Sequence, residues 1–85
     1  NIVHGGAVAA ALMAACQGRV AGGEISIGQQ LASIDIRYMR PAIGSRDLFT
    51  SSCFEREGRA ASFVRSTCFH EPEKPLATAI ATFVS

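Results

Sequence analysis

Near the start of the chain, His4-Gly5-Gly6 leads directly into the apolar run AVAAALMAACQG. Ala is the best helix former, so the run predicts a helix over residues 4–18. The first turn of a helix presents backbone N–H groups that lack intrahelical partners and carry partial positive charge. Such an end suits an anion or a developing oxyanion. Glycine, having no Cβ, lets a ligand approach the backbone closely. Gly5 and Gly6 are therefore candidate oxyanion donors, with His4 beside them. The competing reading is that the glycines permit tight helix–sheet packing and that His4 bonds backbone at the helix entry. Chemistry here also needs an acid or base, yet the first 23 residues contain no Asp or Glu.

Other groups able to do chemistry lie further on. Six of the eight basic residues, Arg37, Arg40, Arg46, Arg56, Arg59 and Arg65, share a stretch whose only acids are Asp47, Glu55 and Glu57, for a local charge of +3. Guanidinium forks match phosphate oxygens, and Arg40, Arg56 and Arg59 fall at expected turns. Solvated strand ends are the plainer reading of each. Ser33 and Asp35 project from one face of an expected strand, and a surface face is the plainer reading of Asp35. The three cysteines, Cys16, Cys53 and Cys68, are odd in number, widely spaced and without Cys-x-x-Cys. They read as reduced thiols rather than a disulfide framework. Nothing near Cys16 in sequence favours its thiolate, which argues against a nucleophile. His4 and His70, far apart in the chain, make no metal motif.

The elements that must position these groups follow from periodicity. The helix is apolar on every side, so burial all round is expected. Gly18, then Gly22 and Gly23, are stop signals. After Gly28 the period becomes two: LASIDIRYM alternates Ala32, Ile34, Ile36 and Tyr38 against Leu31, Ser33, Asp35 and Arg37. RPAIGSRD breaks that strand at Pro41 and Gly44. LFTSSCFE and AASFVRSTCF form a hairpin about Glu57-Gly58, and LATAIATFVS is a last strand after HEPEKP. Folding that hairpin about Glu57-Gly58 sets Cys53 opposite Ser62 and Cys68 near Asp47, so the two thiols should not meet. One helix followed by about four antiparallel strands is an α+β layer arrangement.

Composition bounds the rest. Of 85 residues, 48% are hydrophobic and 18% charged, with net charge +1. That excludes a disordered chain and argues against strong nucleic-acid binding. No run of about 18 apolar residues is present, so no membrane span is expected. AVAAALMAAC has the length of a signal-peptide core, but no basic segment precedes it. With its reduced thiols, the chain is expected to be cytoplasmic. A domain this small buries only about 60–65% of its unfolded surface and gains from oligomerisation. The chain begins at Asn1 without Met, which reads as a fragment, a processed product or part of something longer.

HGGAVAAAL, SIDIRYMRPAIGSRDL and EGRAASFVRSTCFHEPEKPLATAIATF together cover nearly the whole chain. They resemble the hotdog-fold acyl-CoA thioesterases, in particular the phenylacetyl-CoA thioesterase-like branch. The resemblance implies a hotdog fold: one buried helix wrapped by a curved antiparallel sheet, in a single domain over residues 1–85 that lacks the usual N-terminal strand. It further implies an acyl-CoA thioester as substrate, no separate cofactor beyond the coenzyme A of that substrate, and a homodimer or homotetramer. Gly5 and Gly6 become oxyanion donors to a thioester carbonyl, and His4 shapes the site. Arg40, Pro41, Arg56, Gly58 and Arg59 become candidates for holding coenzyme A, and Ser33 for positioning water. In this family an Asp or Glu on the helix, nine residues after the motif histidine, acts as base or nucleophile; here Met13 stands at that position.

Two classes of function follow. One is an acyl-CoA thioesterase with a weakened or non-standard base. The other is a module that binds acyl-CoA or an acyl carrier without hydrolysis. Met13 favours the second and His-Gly-Gly the first. A hydratase of the same fold ranks last, because the Asp/His pair of such enzymes is missing.

Overall fold

A computed structural model describes residues 5–85, with the side-chain environment of Gly5 excluded; His4 lies outside the described residues. The chain forms a helix α1 (Gly5–Ala21) and strands β1 (Gln30–Tyr38), β2 (Phe49–Arg56), β3 (Ala61–Glu71) and β4 (Lys74–Val84). The strands make one antiparallel sheet in the order β1-β4-β3-β2. One helix against a curved four-stranded antiparallel sheet is the hotdog architecture, as the sequence led one to expect.

Helix and sheet meet along a stripe with a spacing of four: Val8, Leu12, Cys16 and Val20 are all buried. That spacing is the single face of a helix. Facing it are small inward residues, Ser62, Ser66, Ala77, Ala79 and Ala81, all buried. Their size lets the helix lie close to the sheet, and the bulkier Val64 and Phe83 fill the space that remains. Toward the helix start, Val8 and Leu12 pack with Ala42, Cys68, Leu76, Ala77 and Ala79. Toward the helix end, Cys16 and Val20 pack with Val64, Ala81 and Phe83.

Burial on every side of the helix is not what this chain provides. Ala7, Ala10, Ala14, Gln17, Gly18 and Ala21 are exposed. A single sheet can cover only one face of a helix. Gly18 does not stop the helix either: it lies on that outer side, where an added Cβ would meet nothing. The stop comes at Gly22 and Gly23, whose N–H groups donate to Gly18 O (3.2 Å) and Val20 O (3.1 Å).

Two irregularities shift the strands from simple alternation. A bulge between Leu31 and Ser33 turns Leu31 inward beside Ile34. The hairpin register sets Cys53 opposite Arg65 and Thr50 opposite Cys68. The expected pairing of Cys53 with Ser62 was thus three residues off, because the connection runs through residues 57–60 and a second bulge follows Phe54. The conclusion about the thiols stands: Cys53 is exposed, Cys68 is buried, and both are free.

Candidate functional site at the helix start

The sheet sorts the expected site residues to its two ends. Gly5 and Gly6 begin α1, and the core beneath that end includes Ala42 of the β1–β2 connection. Arg40 and Pro41 lie in the same connection, so they belong to the helix-start end. Arg56 ends β2, and Gly58 and Arg59 lie in the β2–β3 connection, at the opposite end beside the close of the helix. Strands β3 and β4 run 11 residues each between the two ends, roughly 35 Å at the usual rise. One chain therefore does not bring Arg40 to Arg56 and Arg59. The +3 stretch is also dispersed: Arg65 pairs with Glu55 (2.6 Å) and Arg46 with Glu71 (2.8 Å).

At the helix-start end the connection of residues 39–48 is tied down at several points. Met39 N–H and Arg40 N–H both donate to Leu76 O (2.7 and 3.0 Å). The Arg40 guanidinium Nη1 donates to Pro75 O (2.8 Å). Ala42 is buried in the core. His70, on β3, reaches the connection with both ring nitrogens: Nε2 accepts from Ile43 N–H (2.9 Å), and Nδ1 lies 2.7 Å from Asp47 O. A nitrogen that accepts carries no proton, so the proton sits on Nδ1 and is donated to Asp47 O. Between connection and sheet lies a cleft of about 220 Å³, lined by Arg40, Pro41, Ile43, Arg46, His70, Glu71, Lys74 and Leu76. Arg40, Arg46 and Lys74 over an apolar floor, with Glu71 offsetting Arg46, suit a ligand with an anionic and an apolar part. The Glu71 carboxyl is held below its usual range by its hydrogen bond and charge attraction to Arg46.

The opposite end is built for structure. Glu57 Oε2 accepts from Ser26 N–H (2.8 Å), Ser26 Oγ–H (2.7 Å) and Ile25 N–H (2.9 Å). Those bonds, from the Ser26 backbone first, hold its carboxyl below the usual range. Gly58 O accepts from the Gln29 amide (2.7 Å) and the Ser62 hydroxyl (3.2 Å), and Gly58 N–H donates to Ser62 Oγ (3.2 Å). A Cβ at Gly58 would sit 2.6 Å from Ala61 O, and one at Gly23 would collide with Ser26 Oγ and Glu57 Oε2. The Glu-Gly-Arg segment thus closes a turn and anchors the α1–β1 connection.

Met13 is half-buried and belongs to neither core cluster; it lies on the flank of the helix next to Leu12. Ser33 is exposed and pairs with Thr82. It shares the outer sheet face with Asp35 and Arg37, away from the helix. Cys16 is fully buried, and burial pushes its thiol up. That environment opposes a thiolate nucleophile. Sequence reasoning missed His70 and Glu57. A lone His in HEPEKP and a Glu in a turn carry no local sign of partners 23 to 32 residues away. Among the described residues, no group of three His, Cys, Asp or Glu is placed to hold a metal, and no helix is long and apolar enough to cross a membrane.

This architecture is shared with thioesterases of known structure. Zebra fish thioesterase superfamily member 2 superposes with a TM-score of 0.88 at 19% identity, over 99% of this chain and 62% of that one. A Bacillus halodurans protein solved with CoA gives 0.82 at 23% identity, over 99% and 59%. A phenylacetic acid degradation-related protein of Ralstonia eutropha, described as a thioesterase, gives 0.78 at 25% identity, over 99% and 63%. The chain thus spans about three-fifths of the length of each of these proteins. No curated protein matches it in sequence. The family model of the acyl-CoA thioesterase N-terminal domain matches residues 1–84. The chain belongs to that family.

Proposed function

We propose that this chain is a thioesterase-like domain that binds acyl-CoA thioesters at the helix-start end and, with Met13 in place of the usual carboxylate, hydrolyses them only feebly. The observation that carries the reading is the family match over residues 1–84, set beside a cationic, apolar-floored cleft at the end where the helix begins. Gly5 and Gly6, at the positive end of the helix, polarise the thioester carbonyl, and His4 shapes that end. Arg40 and Pro41 border the path of the coenzyme A phosphates and pantetheine. Met13 supplies apolar contact where the family has its carboxylate. The branch is the phenylacetyl-CoA thioesterase-like one, on the strength of His-Gly-Gly and Tyr-Met-Arg-Pro.

The domain acts as a homodimer or homotetramer. Strand β1 has one edge paired with β4 and, among the described residues, no strand on the other. Antiparallel pairing of that edge with a second copy sets the helix-start end of one subunit beside the opposite end of the other. Arg59 of a second copy then comes toward Arg40, which a single subunit cannot arrange. Exposed Tyr38, Met39, Ile43 and Ile80 give such an assembly apolar surface to bury. Ser33, on the outer sheet face, would reach a thioester only across such a junction.

The second reading, a binding module for acyl groups on coenzyme A or a carrier, is favoured by Met13 alone. Release of CoA thiol across a panel of acyl-CoAs, with binding measured in parallel, separates the two. Acyl-CoA that neither binds nor turns over sinks both.

A further inference from the structure

We infer that His70 is a positioning residue. As the neutral Nδ1–H tautomer it clamps the β1–β2 connection to β3, and proton uptake at Nε2 releases that connection together with the cleft it walls. The clamp is a matter of geometry. One half-buried imidazole bridges two backbone groups four residues apart in the connection, accepting from Ile43 N–H (2.9 Å) and donating to Asp47 O (2.7 Å). Between those points the connection closes its own turn, with Arg46 N–H donating to Ile43 O (3.1 Å). Only a ring with one bare and one protonated nitrogen fits both partners. A proton added at Nε2 sets two N–H groups against each other and strips Ile43 N–H of its acceptor.

The charged groups around the ring come from each element packed on it. Glu71 follows it on β3, and its carboxylate feels the histidine's charge. Lys74 stands on β4; Arg40, Arg46 and Asp47 stand on the connection. Arg46 is engaged by Glu71 at 2.8 Å. Glu71 attracts an imidazolium, but its carboxylate is held first by Arg46 and then by Lys74, and it does not replace the acceptor that Ile43 N–H loses. The cleft beside the ring is lined by Arg40, Pro41, Ile43 and Leu76 as well as Glu71, whose Oε1 is engaged by Arg46. The connection is therefore docked while Nε2 is bare and released once Nε2 carries a proton. The consequence for ligand rests on the acyl-CoA reading: Arg40 and Pro41 ride on the same connection.

The test is amide hydrogen exchange on the intact chain at about pH 8 and about pH 5, with His70 ring protons followed in the same samples. Exchange at Ile43 is expressed relative to Val64, a fully buried residue of the sheet, which cancels the intrinsic pH dependence. The expected result is a loss of relative protection at Ile43 of roughly tenfold on acidification, the scale of one net hydrogen bond. His70→Gln offers a donor and an acceptor but does not titrate, and should abolish the pH dependence. Unchanged relative protection at Ile43 while the His70 ring gains its proton overturns the clamp, as does the same pH dependence in His70→Gln. The parent series decides even if a variant fails to fold. CoA binding is measured alongside. CoA that binds equally well at both pH values while Ile43 is released overturns the link to the cleft. CoA that binds at neither refutes the acyl-CoA reading and leaves the exchange result to decide the clamp by itself.

Discussion

Met13→Asp asks whether this helix still presents an attacking position to a thioester. The structure sets the cost. Full burial of a Met side chain is worth about 1.5–3 kcal/mol, and Met13 is half-buried outside both core clusters, so roughly half of that is lost. Asp within a helix costs about 0.5 kcal/mol more than a good helix former. The total, about 1.25–2 kcal/mol, compares with about 4–13 kcal/mol of stability for a domain of 85 residues. The variant should fold, with a midpoint lower by roughly 5–16 °C. Leu12→Ala, one residue away but fully buried, should cost about 2–5 kcal/mol and serves as the control for a core position. A base or nucleophile restored at the right place is worth about two to four orders of magnitude in rate. The assay is CoA thiol release from several acyl-CoAs by parent, Met13→Asp and Met13→Glu, with thermal melts and binding on the same samples. Robust parental turnover unaffected by Met13 changes would mean that the base lies elsewhere. A folded Met13→Asp that binds acyl-CoA and gains no rate would falsify the proposed geometry altogether.

Arg40→Ala and Arg59→Ala should each weaken CoA binding and flatten its salt dependence, as read by titration at low and high salt; parental behaviour in both removes the phosphate assignment. Light scattering at micromolar concentration should report a dimer or tetramer, and a monomer there sinks the composite site. Glu57→Gln should destabilise the fold at neutral pH. Because the folded-state carboxyl is held low by Ser26 and Ile25, its contribution is present above the ordinary Glu value of about 4.3 and fades as pH falls through the lowered one. The parent should therefore lose stability on acidification below that ordinary value more steeply than Glu57→Gln, and parallel curves from chemical denaturation would count against the anchor.

Where a feature depends on residues close in sequence, the chain announces it. The Ala-rich run gave the helix, and alternation gave the strands. Gly18 misled because propensity cannot tell an exposed glycine, tolerated within a helix, from one at a true end; the distinction is made by Gly23, crowded by Ser26 and Glu57. The hairpin register slipped because bulges leave no mark in an alternating pattern. The arginines show a different limit of sequence reading. Arg40 and Arg59 are near in sequence and both at turns, yet successive turns of an antiparallel sheet fall at opposite ends. His70 was invisible because its two partners are backbone groups, which every residue carries.

The two ends of the domain are held by different kinds of interaction, and this bears on where function sits. At the helix end, Glu57, Gln29, Ser62 and Ser85 bond backbone groups of the facing connections, and several of these side chains are buried or half-buried. At the helix start, besides the buried Ala42 and the Met39 and Arg40 N–H bonds to Leu76 O, the side-chain ties are an exposed Arg46–Glu71 pair, the Arg40 bond to Pro75 O and the His70 clamp. Exposed ion pairs contribute little, and a single imidazole fails on taking up a proton. Among the described residues, the side-chain ties at the helix-start end are thus the ones that yield most readily, and local opening draws on the least stable part of a structure. On the acyl-CoA reading proposed above, a long CoA thioester has to enter and leave, which calls for an entrance that yields without disturbing the core. The cleft between residues 39–48 and the sheet meets that requirement, whereas the Glu57 end, with its backbone groups already taken, does not.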